Sequence, residues 1–179
     1  MIWTERNIAR ALAQQFFNRK YLVVVPNCNW AGHEADILAV TNNLRIIDVE
    51  IKISRADLKA DARKDKWWHH PSFAWGQERP EPEARLHPPR VWKHYYALPS
   101  DIWKPDLADA LPSQSSGVLL LKDHRHGLHI TCWRQAKPAR DAYRLTAEQA
   151  VNVARLASLR MWDAYQRIDE VSQKSARAA

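Results

Sequence analysis

Residues 33–65 read HEADILAV-TNNLR-IIDVEIKI-SRADLKADARKD, and the fold turns on how this stretch pairs with itself. Two apolar runs, roughly Glu34 to Thr41 and Leu44 to Ile53, flank the turn signal Asn42-Asn43 and predict a β-hairpin. On the second strand Ile47-Asp48-Val49-Glu50-Ile51-Lys52-Ile53 alternates strictly, which puts Glu50 and Lys52 on one face. Such a strand ordinarily buries its isoleucines and shows its charges to water. A second reading brings Asp36 of the first strand against Glu50 at a sheet edge, with Lys52 beside it. Register decides whether that is available. A two-residue turn at Asn42-Asn43 sets Asp36 opposite Val49, facing away from Glu50. A three-residue loop sets it opposite Glu50.

The chemistry of the second reading is specific. Two carboxylates at a sheet edge hold Mg²⁺ through oxygen and leave water in the open positions. The metal polarises a phosphoryl oxygen and lowers the pKa of a bound water. A lysine beside that water orients it, takes its proton, or stabilises the charge developing on phosphorus.

Asp36, a hairpin, then Glu50-Ile51-Lys52 gives D-x13-E-x-K, which resembles the signature of the PD-(D/E)XK nuclease superfamily. Ala35 stands where that signature has proline. The continuation Ser54-Arg55-Ala56-Asp57-x3-Asp61 is similar to the MmcB-like DNA-repair branch, in which the E-x-K strand runs into an S-x-x-D-x-x-x-D helix. The resemblance covers most of the chain. It implies an α/β fold with a restriction-endonuclease-like αβββαβ core, a mixed central sheet, and a C-terminal β-hairpin and long helix. It implies a DNA-directed hydrolase with Mg²⁺, or Mn²⁺ in its place. Asp36, Glu50 and the Ile51 carbonyl would hold the metal, and Lys52 would act on the attacking water. Glu5 in the first helix stands where such nucleases often carry a further glutamate. Read from the residues alone, Glu5 is a first-turn acid favouring the helix dipole. The alternative function is a non-catalytic DNA-binding module of the same fold. The partners implied are DNA and either a second copy of the chain or a repair or phage protein complex.

At 179 residues, 46% hydrophobic and 26% charged, the chain fits one domain, with a core over about 1–100 and an accessory part over about 101–175. A net charge of +7 suits a polyanionic partner, nucleic acid first and an anionic membrane second. Cys28 and Cys132 are the only cysteines, which excludes a disulfide scaffold and a C-x-x-C knuckle and points to a reduced, cytoplasmic protein. There is no signal-peptide pattern and no apolar run long enough to cross a membrane.

The remaining elements follow from periodicity. Met1 to Lys20 predicts a helix capped by Thr4, with Ile8, Leu12 and Phe16 inward. Tyr21 to Val25 predicts a strand, and His33 a surface loop residue. Ser54 to about Trp67 predicts a helix with a capping box from Ser54 to Asp57 and a solvated Asp57/Asp61/Asp65 stripe. Arg55, Lys59, Arg63 and Lys66 on that helix would form a phosphate track beside the metal. Pro-rich residues 68–90 predict an irregular loop whose aromatic and basic residues suit stacking on bases, with Phe73 pinning it to the body. Val91 to Leu98 predicts a strand, followed by a Pro-interrupted helical stretch from Asp101 to Leu111. A hairpin then spans Gly117 to Trp133, with His124, His126 and His129 in or beside a polar turn. A final helix runs from Thr146 to about Lys174, with Val153, Ala157, Met161, Ala164 and Ile168 inward and Ser172 to Ala179 frayed.

Overall fold

In the computed structural model residues 2–18, 20–125 and 127–178 are described. The first helix, α1 (Glu5–Ala11), is closed at its start by Thr4 and Asn7, whose side chains each accept the other's backbone N–H. It continues as a π-helical turn over Leu12–Phe16, so the α-helical stretch is shorter than expected. The Phe17 N–H donates to the Leu12 carbonyl five residues back, and the wider turn brings Phe17 inward with Ile8 and Leu12.

The sheet holds β1 (Val23–Cys28), β2 (Ala35–Val40), β3 (Ile46–Ile51), β6 (Val91–Pro99), β7 (Gly117–His124) and β8 (Gly127–Arg134), in that spatial order. β1–β2, β2–β3 and β7–β8 are antiparallel, and β3–β6 and β6–β7 are parallel. The sheet is therefore mixed, as expected. β7 and β8 extend it and form no separate accessory layer, because β7 pairs directly with β6. The start of β7 is glycine by necessity, since a Cβ on Gly117 would lie 2.3 Å from the Tyr95 ring.

Both faces are covered. Ile37, Ala39, Val49 and Ile51 pack against α1 and its π turn. On the opposite face Leu38, Val40 and Ile46 meet the first turns of α3 (Ala147–Ala178), and Tyr96 and Leu98 meet Leu58, Trp67 and Trp103. With both faces covered, every residue of β3 is buried, and the solvated-charge reading of its alternation fails.

Three other expectations change. The second helix, α2, spans only Arg55–Ala60; a 3₁₀ turn follows at Asp61–Arg63 and the chain then extends at Lys64. The Pro-rich segment holds a two-stranded ribbon, β4 (Trp68–His69) with β5 (Glu83–Ala84), and Phe73 is half-exposed, so it does not pin the loop. The last helix buries Val153 but leaves Met161, Trp162, Tyr165 and Ile168 exposed, because it packs on the sheet through its first turns. It stays helical to Ala178. Among the described residues no helix is long and apolar enough to cross a membrane.

Candidate functional site

The β2–β3 connection is a three-residue loop, Asn42-Asn43-Leu44. Thr41 and Arg45 face each other across it, and Leu44 takes the left-handed conformation (φ 57°). Ile37 pairs with Val49 and Leu38 with Asp48; one residue further along, Asp36 lies across from Glu50. The Asp36 side chain closes the end of the ladder, its Oδ2 accepting the Ile51 N–H at 2.6 Å. Burial, reinforced by the Glu50 and Glu5 charges against the Ile51 hydrogen bond and Lys52, pushes its carboxyl up to about 6.

Glu50 lies on the opposite balance. Its residue exposure is 1%, beside Asp48 at 0%, Lys52 at 3% and Lys66 at 6%, so this is an interior charge cluster. Oε2 accepts from Lys52 Nζ at 3.2 Å and Lys64 Nζ at 2.9 Å, and Oε1 accepts from Lys66 Nζ. Burial, the largest effect, works to raise the Glu50 pKa, but the Lys66 charge and hydrogen bond act against it and the net shift is downward. Lys52 also lies 2.9 Å from Asp61. Burial works to deprotonate that lysine, but the Asp61 and Glu50 charges raise its pKa, and it stays an ammonium.

Asp61 is not on a solvated stripe. Its Oδ2 accepts from the Tyr96 hydroxyl at 2.6 Å and the Trp67 indole N–H at 3.1 Å. The helix expected to run to Trp67 ends before it, at Ala60, with a 3₁₀ turn over Asp61–Arg63. Asp48 is held by His33 Nε2 at 2.9 Å and Lys66 Nζ at 3.6 Å, which against burial bring its carboxyl down to about 2. His33 is thus the partner of a buried carboxylate and not a free loop residue. His94 donates or accepts at Ser116 (3.0 Å) and lies 3.9 Å from Asp48; burial outweighs that carboxylate and lowers its pKa to about 4.

Of the four residues of the expected phosphate track, one is taken off the surface and a second is tied to the backbone. Lys66 is turned inside onto Glu50, and Arg55 is tied to the Ile102 carbonyl at 2.6 Å. Lys59 and Arg63 remain exposed. Glu5 and Asp36 line one cleft of about 990 Å³, together with Ile51, Glu34, and arginines from α1 and α3. His124 and His129 have ring centroids 5.9 Å apart, and His126 lies outside the described residues.

The donor atoms expected for Mg²⁺ (Asp36, Glu50 and the Ile51 carbonyl) are all oxygen, the kind a hard divalent cation takes. Among the described residues Asp36 has no ammonium in hydrogen-bond or ion-pair contact, only the Ile51 N–H and the more distant Lys52 charge. Glu50 differs, because its oxygens already accept from Lys52, Lys64 and Lys66. Lys64 is about half exposed (47%), and it is the ammonium of the three that has room to leave. The donor set fits in kind, yet among the described residues no three His, Cys, Asp or Glu side chains converge on one point.

Asp48, Asp61, Lys64, His94 and Tyr96 were not read as site residues. Asp48 shares the parity of Glu50 and could have been found by that signal; the others come together only through the fold.

No protein-family model matches the chain, and no curated protein matches it. A solved structure, the SPO1766 protein of unknown function from Silicibacter pomeroyi, is similar over 96% of this chain and 94% of its own, with a TM-score of 0.56 and 18% identity. At that identity the likeness speaks for the fold alone.

Proposed function

We propose that this protein is a divalent-metal-dependent nuclease that hydrolyses phosphodiester bonds in DNA, on a core of the PD-(D/E)XK type. The observation that supports this most is the hairpin register: a three-residue loop sets Asp36 across from Glu50, with Lys52 Nζ 3.2 Å from that glutamate. The order α1-β1-β2-β3-α2, then β6 after the small ribbon, supports the αβββαβ core. Asp36, Glu50 and the Ile51 carbonyl would hold Mg²⁺ or Mn²⁺, with Glu5 lining the same cleft as Asp36 and Ile51. The bound ion supplies Lewis acidity and an acidified water. Lys52, fixed as an ammonium between Asp61 and Glu50, donates hydrogen bonds and stabilises negative charge; it is not the general base.

One observation favours a second reading, the non-catalytic DNA-binding module: Glu50 already carries three ammonium groups. Cleavage of supercoiled plasmid and single-stranded DNA, with Mg²⁺, Mn²⁺ or chelator, separates the two. The nuclease reading expects metal-dependent cutting that Glu50→Gln and Lys52→Ala reduce by about 10²–10³-fold. DNA binding without cutting by the wild type would favour the module.

A further inference from the structure

The cleft beside Asp36 has a wall from α1, carrying Arg6 and Arg10, and a wall from α3, carrying Arg160 and Arg167. Arg6 and Arg10 are one helical turn apart and Arg160 and Arg167 two turns apart, so each pair lies along one face of its helix. All four are exposed. Arg160 is steadied by Asp163 at 3.6 Å and by the Asn27 carbonyl at 3.3 Å. Arg6, Arg10 and Arg167 have no carboxylate partner among the described residues. Ala9, Ala13 and Ala164 keep the walls low between them.

The cleft also holds four carboxylates, Glu5, Glu34, Asp36 and Asp163, so its formal charge is balanced; its anion-binding groups are the four guanidinium groups of the two helix walls, three of them without a carboxylate partner among the described residues. The cleft is half open and of ligand-pocket size, about 990 Å³, room for a few nucleotides of one strand. We infer that this cleft, between α1 and α3, binds the phosphodiester backbone of a single nucleic-acid strand and leads it to Asp36. The choice of nucleic acid as the polyanion rests on the nuclease reading; the anion-binding character does not. The site differs from the α2 track expected from sequence, since α3 supplies one wall from the far end of the chain.

The test is fluorescence anisotropy of a labelled single-stranded oligonucleotide and of its duplex, in chelator so that no cutting occurs, over a series of salt concentrations. Two cleft variants, Arg6→Gln/Arg10→Gln and Arg160→Gln/Arg167→Gln, are compared with a control on the α2 face, Lys59→Gln/Arg63→Gln. Each cleft variant is expected to weaken single-strand binding about tenfold or more and to lower the salt slope by about 1 to 2, with the control close to wild type. Arg→Lys at the same positions should restore most of the salt slope, which separates lost charge from lost fold. Cleft variants that bind like wild type, a loss confined to the α2 control, a preference for duplex, or no binding by the wild type at low salt would each overturn the proposal. Arginine-dependent binding by a protein that does not cleave would keep this site while removing the nuclease reading.

Discussion

Asp36 is the residue where structure and chemistry pull in opposite directions. Its carboxyl is pushed up to about 6 from an ordinary 3.8, chiefly by burial. As pH rises from about 4 to about 6 the unfolded chain releases this proton before the folded one, so stability falls across that window. Asp36→Asn is therefore expected to be more stable than wild type at pH 7.5, by about 1–2 kcal/mol after allowance for partial exposure, and equal to it near pH 4. Urea titrations at the two pH values measure this. His94 works with the other sign. Its pKa falls from 6.5 to about 4 because it is buried, so the unfolded chain takes up a proton first as pH drops through that interval. Wild type is expected to lose up to about 3 kcal/mol there relative to His94→Gln, measured by the same titrations as a difference in pH slope.

At the scale of elements, the segment after β3 decides how Glu50 is used. Lys64 is extended (φ −68°, ψ 138°), which ends the helical run and lets Lys64 and Lys66, two residues apart, both turn to Glu50. The two lysines are not equivalent. Lys66 is buried, and Lys66→Met should cost about 3–5 kcal/mol by leaving Asp48 and Glu50 short of a counter-charge. Lys64 is half exposed, so Lys64→Ala should cost at most about 1 kcal/mol. By removing one of the two ammonium groups on Glu50 Oε2 and leaving Lys52, it should also lower the Mg²⁺ concentration that gives half-maximal cutting. Thermal melts and metal titrations of the two variants read these outcomes; a Lys64→Ala protein needing more metal would contradict the assigned role.

For the molecule as a whole, the β2–β3 hairpin and the helix caps at Thr4 and Ser54 were legible from local signals. The burial of Asp48, Glu50 and Lys52 was not, because alternation in a sequence shows which residues share a face and not whether that face is covered. Here β6 adds Tyr96 and His94, and the segment after α2 adds Trp67, over the charged face. The arginine cleft was equally hidden, its walls being separated by about 150 residues of chain. The exposed second half of α3 follows from the same limit: its apolar spacing is helical throughout, but Met161, Trp162, Tyr165 and Ile168 are left uncovered. Asp36 meets Glu50 across a three-residue loop, and that is the loop the chain adopts.

These scales meet in one measurement, cutting of single-stranded DNA by Asp36→Asn in Mg²⁺ beside wild type, with both proteins shown folded by their melts. The expected result is cutting by wild type and about 10²–10³-fold less by a variant that melts higher. Undiminished cutting by the more stable variant would contradict the assignment of Asp36 and, with it, the metal site on which the account rests.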